Sequence, residues 1–190
     1  MSASDSPLTA PDASPAFDGP RGAIIQVAYT TADIARAMQA YGEALRLAPW
    51  FVRGPFQPAK ALYRGRPTPL SVTLAIAFSG SLWVELIEQH DDGPSVFRDI
   101  ADRRGHGFHH WGVATDRFEA EAARYAQRGY ELAFYDVLPV GSRIAYFDTT
   151  RDLPGMVELI EMNEAQERRY ARLRAEALAW EGGDPVRRMP

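Results

Sequence analysis

Val84-Glu85-Leu86-Ile87-Glu88 recurs without change as Val157-Glu158-Leu159-Ile160-Glu161. Each copy is a short alternating run that reads as a β-strand, and each closes one copy of a longer repeated unit. Reading backwards from each copy, residues 24–30 and 109–115 are also β-like. Each of those runs leads into a helix-start signal, an oxygen cap followed by an acidic residue: Thr30-x-x-Asp33 in the first half and Asp116-x-x-Glu119 in the second. Ile34, Met38, Tyr41 and Leu45 then fall at helical spacing on one face. An offset of 84 carries the first three onto Phe118, Ala122 and Tyr125, so the two helices share a register.

Three strand-like segments follow each helix, at residues 50–56, 70–78 and 81–88 and again at 130–137, 142–148 and 156–161. The chain therefore reads as α+β, with two tandem βαβββ modules. Gln26 and Glu85 are 59 residues apart and His110 and Glu158 only 48, so the first module carries 11 extra residues, which residues 57–69 absorb. The expected organisation is a disordered tail over 1–21, a first module over 22–90, a linker with a short helix over 91–105, a second module over 106–162, and a C-terminal helix and tail over 163–190. The tail at 1–21 is rich in proline, serine and aspartate, a composition that buries little. Asn163-x-x-Gln166 caps the last helix, whose stripe of Tyr170, Leu173, Ala177 and Trp180 is expected to pack on the outside of a sheet or on a partner subunit.

At 190 residues, 46% hydrophobic and 24% charged, the chain can bury a substantial core. Its apolar runs fall far short of the ~20 residues that span a bilayer, which argues against a membrane partner. The net charge of -4 gives no footprint for a polyanion, which argues against nucleic acid. There is no cysteine for a disulfide, a thiolate ligand or a nucleophile, and residues 1–20 lack the features of a secretory signal, so a cytoplasmic location is expected.

A doubled unit with a polar residue on the first strand of each half and Val-Glu-Leu on the last resembles the vicinal oxygen chelate superfamily. This group includes glyoxalase I, methylmalonyl-CoA epimerase, extradiol dioxygenases and bleomycin resistance proteins. The resemblance implies a curved, barrel-like mixed sheet with a divalent metal (Zn, Ni, Co, Mn or Fe) between the halves. Carried over position by position, it makes Gln26 in Ile25-Gln26-Val27, Glu85 in Val84-Glu85-Leu86, His110 in His109-His110-Trp111 and Glu158 in Val157-Glu158-Leu159 the ligand set. The repeat offset selects His110 over His109, since neighbours on a strand point to opposite faces. Taken one at a time, a strand Glu is most simply solvated and a strand His a structural residue. As a symmetric set, three oxygen ligands and one imidazole suit a divalent cation with open positions. Two inward carboxylates also need something to compensate them.

Such a metal implies Lewis-acid help to a carbonyl while Glu158 or Glu85 moves the proton on the adjacent carbon: isomerase, epimerase or lyase chemistry. The ligand types resemble glyoxalase I. The stretch over residues 91–110, with Gly105-His106-Gly107-Phe108-His109-His110, resembles the epimerase branch, although that branch has His where this chain has Gln26. The substrates implied are a thioester or a hemithioacetal. Arg53, Lys60, Arg64, Trp83 and Trp111 are the candidate substrate contacts, with Trp50, Phe51, Phe56, Tyr63, Phe134 and Tyr146 as further aromatic lining. The alternative is a non-catalytic binding protein of the bleomycin resistance type. Extradiol ring cleavage fits less well, because it needs two His and a carboxylate and only one His stands on the ligand strands. The first strands of both modules would expose edges if the half-barrels stood apart, and a homodimer is expected on that ground.

Overall fold

The computed structural model describes residues 21–189, so the expected tail lies outside the described residues apart from Arg21. In chain order the first half contains β1 (Ile24–Thr30), α1 (Ile34–Leu45), β2 (Trp50–Phe56), the short β3 (Leu62–Tyr63) and β4 (Arg66–Pro67), β5 (Val72–Ser79) and β6 (Leu82–Gln89). The connecting α2 (Val96–Arg104) leads to β7 (Gly107–Thr115), α3 (Phe118–Gln127), β8 (Glu131–Val137), β9 (Arg143–Asp148) and β10 (Met156–Glu161). The chain closes with α4 (Glu164–Leu178) and β11 (Val186–Arg188). The end of the 163–190 segment is expected from sequence to be a tail. Instead β11 pairs in parallel with β2 and Met189 N donates to Val52 O, because the edge of β2 offers unpaired backbone groups.

The helix starts are shifted from the sequence reading. Asp33, not Thr30, caps α1, its carboxylate accepting from Arg36 N, while Glu88 accepts from Ile34 N. At α3 the capping residue is Arg117, which has no side-chain cap, and Thr115 Oγ1 accepts from its backbone N–H. The Asn163 cap holds as read, accepting from Gln166 N at 2.8 Å.

All strands belong to one curved, unclosed mixed sheet in the order β11-β2-β5-β6-β1-β7-β10-β9-β8-β3-β4. The halves meet where β1 runs antiparallel to β7, with Gln26 opposite Gly112 and Ala28 opposite His110. The two edges on which a homodimer was expected are therefore paired with each other within one chain. Neither is left open for a second copy.

Strand alternation sorts the core. Val84 and Leu86 turn to the outer face under Met38 of α1, and Val157 and Leu159 do the same under Phe118 and Tyr125 of α3. The inner face holds two apolar clusters, one around Phe97, Phe134 and Met156 beside α2, the other around Ile76, Trp83 and Ile160. Tyr170 of α4 packs on this second cluster, its ring 5.2 Å from Trp83 and 5.5 Å from Phe78. The last helix thus covers one end of the inner face, not the outside of the sheet. Its buried Tyr170 joins the apolar cluster of Ile76, Trp83 and Ile160 there.

The inserted residues of the first half cross to the second, where β3 pairs with β8. Arg64 anchors the insertion through ion pairs to Asp99 at 2.8 Å and Asp148 at 3.2 Å, and to Glu131. No helix among the described residues is long and apolar enough to cross a membrane.

Candidate functional site

The register of the four central strands places four polar side chains on the inner face. Ala28 pairs with Glu85 on one side and His110 on the other, and Gly112 pairs with Glu158 and Gln26, so the two halves are related by an approximate twofold. Gln26 Nε2 lies 3.0 Å from Glu85 Oε2, 2.9 Å from His110 Nε2 and 3.1 Å from Glu158 Oε2. His110 Nε2 stands 3.1 Å from Glu158 Oε2 and 3.8 Å from Glu85 Oε2. All four residues are buried.

The proton inventory of this cluster follows from its partners. His109 Nε2 lies 2.9 Å from the carbonyl oxygen of Val96, which can only accept, so that nitrogen carries the proton. His109 Nδ1 is then an acceptor and takes the Nδ1–H of His110 at 2.8 Å. His110 is left with a lone pair on Nε2, aimed at the cluster. Burial pushes both imidazoles down to about 3, so they are neutral. Gln26 Nε2 has two hydrogens for three converging acceptors. Burial pushes Glu158 up to about 8, partly offset by hydrogen bonds from Tyr146 and Gln26. Glu85 is also pushed well up, by burial and then by Glu158, with Arg169 pulling the other way.

A convergence of two buried carboxyl groups, a neutral imidazole with its Nε2 lone pair free and a primary amide has the donor types of a divalent cation site, with Gln26 offering its amide oxygen. Among the described residues no group of three or more His, Cys, Asp and Glu stands together as a metal site.

A cavity of about 430 Å³ opens over the cluster. Gln26, Glu85 and Glu158 reach it; His110 lies beneath. Of the candidate substrate contacts, Arg53 and Trp83 line it, as do the aromatics Phe56, Phe134 and Tyr146. Lys60 is exposed and outside the lining, and Arg64 is held by the carboxylates of the insertion's anchor. Trp111, next to His110 on β7, faces the other way onto the outer cluster, as do Trp50 and the α1 cluster it joins. Phe51 is buried away from the lining, and Tyr63 donates to Asp99. Glu161 pairs with Arg143, away from the cluster.

The cavity residues not singled out from sequence as cavity groups include Asp136 on β8, and Gln166, Arg169 and Met189 from the C-terminal segment. Gln166 read as part of a capping box. The one signal available was helical spacing: Gln166 stands four residues before Tyr170 and three before Arg169, so on the helix surface it lies beside both.

The family model of the glyoxalase/bleomycin resistance protein/dioxygenase superfamily matches residues 25–147. A comparison with curated proteins finds no match. Among solved structures, a hypothetical protein from Bacillus halodurans C-125 is similar with a TM-score of 0.57 at 17% identity, over 75% of this chain and 95% of that one. A methylmalonyl-CoA epimerase in complex with methylmalonyl-CoA and NH4+ is similar with a TM-score of 0.53 at 15% identity, over 77% of this chain and 98% of that one. The methylmalonyl-CoA epimerase of Mycobacterium tuberculosis is similar with a TM-score of 0.50 at 17% identity, over 74% and 87%. At these identities the structural likeness speaks for the fold. The doubled module, its inward polar cluster and the family match over most of the chain together make this chain a member of the glyoxalase/bleomycin resistance protein/dioxygenase superfamily.

Proposed function

We propose that this protein is a metal-dependent enzyme that moves a proton on the carbon next to a carbonyl of a small molecule, as an isomerase, epimerase or lyase of the glyoxalase type. The observation that carries this reading is the convergence of Gln26, Glu85, His110 and Glu158 at the floor of one cavity. A divalent ion (Zn, Ni, Co, Mn or Fe) held by those four would supply Lewis-acid stabilisation of charge on the carbonyl oxygen. Glu158 Oε2 takes the proton. Its burial raises its basicity toward neutral pH, where a general base works best, and the Tyr146 hydroxyl orients it by a hydrogen bond. Glu85, on the matching strand of the other half, can return a proton to the other side of the same carbon. His110 stays neutral, and the inner-face aromatics keep bulk water off the site.

Thioesters and hemithioacetals are the substrate classes to test first. An epimerase of this fold, in complex with methylmalonyl-CoA, supports the former. A second reading, non-catalytic sequestration, is favoured by the apolar character of much of the lining, including Leu70, Val72, Phe97 and Ile144.

Two measurements test the proposal. Elemental analysis of the purified protein, before and after incubation with Ni, Co or Zn, should find bound metal; a protein that contains none and takes up none sinks the metal reading. Exchange of the α-proton of CoA thioesters and glutathione hemithioacetals in D₂O should then be catalysed. A metal-loaded protein that exchanges none of them leaves sequestration as the better account.

A further inference from the structure

Outside the polar cluster the cavity carries two guanidinium groups that the proton-transfer reading does not use. Arg53 comes from β2 and Arg169 from α4, and both line the cavity. Each lies over an aromatic ring, Arg53 4.2 Å from the Phe56 centroid and Arg169 5.8 Å from that of Trp83. Arg169 reaches Met189 Sδ at 3.2 Å. Neither has a carboxylate at ion-pair distance among the described residues, although Asp136 and Glu85 face the same cavity. The contrast with other half-buried arginines is sharp: Arg64 is held by Asp99 and Asp148, and Arg143 by Glu161. Buried polar atoms without a hydrogen-bond partner among the described residues also gather here, namely Trp83 Nε1, Asp136 Oδ1 and Gln166 Oε1. Each of these atoms is nearly cut off from solvent on a residue that lines the cavity, and leaving a buried donor or acceptor unsatisfied is costly.

We infer that Arg53 and Arg169 form a clamp for a carboxylate on the substrate, with Trp83 Nε1–H as an additional donor, so that the substrate is a carbonyl compound that also carries a carboxylate. A guanidinium presents a planar fork that matches a carboxylate, and stacking on an aromatic ring holds that fork in place without consuming its N–H donors. The apolar residues of the lining take the body of the molecule, and its carbonyl falls at Gln26, Glu85 and Glu158. This inference rests on the cavity being the substrate site of the proposed function, but the clamp itself needs no metal.

The test is calorimetric titration with 4-oxo-4-phenylbutanoate and with its methyl ester, which keeps the shape and removes the charge, on protein freed of metal by EDTA and on Zn-treated protein. The acid should bind at least about tenfold more tightly than the ester in both preparations, as a charge-assisted pair of this kind provides. Arg53→Met and Arg169→Met should each remove most of that preference while leaving ester affinity near wild type, which also shows that the variants are folded. Equal affinity for acid and ester, no binding of the acid, or a preference that survives both variants overturns the clamp. A preference seen only in Zn-treated protein overturns it too, by assigning the carboxylate to the metal. Failure to take up Zn would count against the metal reading alone, and the metal-free titration would still decide the clamp.

Discussion

A Cβ placed on Gly112 would stand 2.7 Å from the Cβ of Gln26 and 2.9 Å from Cδ1 of Ile160. Ile160 Cδ1 is the end of a flexible side chain and can turn aside; the Gln26 Cβ is fixed to the backbone of β1 and cannot. The side chain of Gln26 therefore crosses the space that any residue but glycine would fill. Gly112→Ala should displace the amide from the cluster and cost about 1–3 kcal/mol of stability through overpacking. Chemical denaturation checks the stability, and metal uptake by the variant should fall with it.

The hydrogen-bond relay from Val96 O through His109 to His110 leads to a second expectation. His109→Leu removes the acceptor that keeps the His110 proton on Nδ1, so the lone pair on Nε2 is no longer enforced. Metal affinity should fall about 10–100-fold, the usual effect of losing the group that orients a ligand. His109→Gln can both donate to Val96 O and accept from His110, and should retain most of the affinity. Competition with a chromogenic chelator measures both. Equal affinity in wild type and His109→Leu would show that the relay does not matter. Sequence parity alone would have made His109 dispensable; its complete burial against α2 is what changes the expectation.

The metal-free protein should be most stable in mildly acidic solution. Burial holds Glu158 up at about 8 against an ordinary 4.5, so the folded state keeps a proton that the unfolded chain has released, and stability falls as pH rises from 4.5 to about 8. Glu85 is shifted in the same direction. His109 and His110 are held down at about 3 against 6.5, so the unfolded chain takes up protons first and stability also falls as pH drops below 6.5. Thermal unfolding across this range in EDTA should trace a maximum between the two limbs. Added Zn should flatten the alkaline limb, because a cation compensates the ionised carboxylates; an unchanged alkaline limb would contradict a cation at this site.

Glu158→Gln keeps an oxygen for a metal and removes the base. Proton exchange should fall about 10²–10⁴-fold, with a smaller loss of metal. If exchange is unaffected there and lost in Glu85→Gln, the roles of the two carboxylates are reversed and the reaction class stands.

What could be read from the chain was whatever depends on local pattern and internal repetition. The duplicated Val-Glu-Leu-Ile-Glu, with the shared helix register, is enough to pair Gln26 with His110 and Glu85 with Glu158, because strand alternation sends residues of equal parity to one face. The helix starts were misread by a residue or a few: at α1 both Thr30 and Asp33 offer a capping oxygen, and only the backbone decides which one is used. Contacts between distant segments were settled by tertiary structure alone. The sequence allowed β1 and β7 to meet within the chain or across a dimer, and their antiparallel pairing here removes the edges on which the dimer expectation rested. Lys60 and Arg64 belong to one basic stretch, yet Arg64 is drawn off by carboxylates from α2, β8 and β9 that no local pattern connects to it. Arg169 and Gln166 enter the cavity only because α4 folds back over the inner face, where Tyr170 finds the apolar surface of Trp83 and Phe78. A helix stripe announces that a face will be buried; which surface buries it is chosen by the packing of the whole molecule.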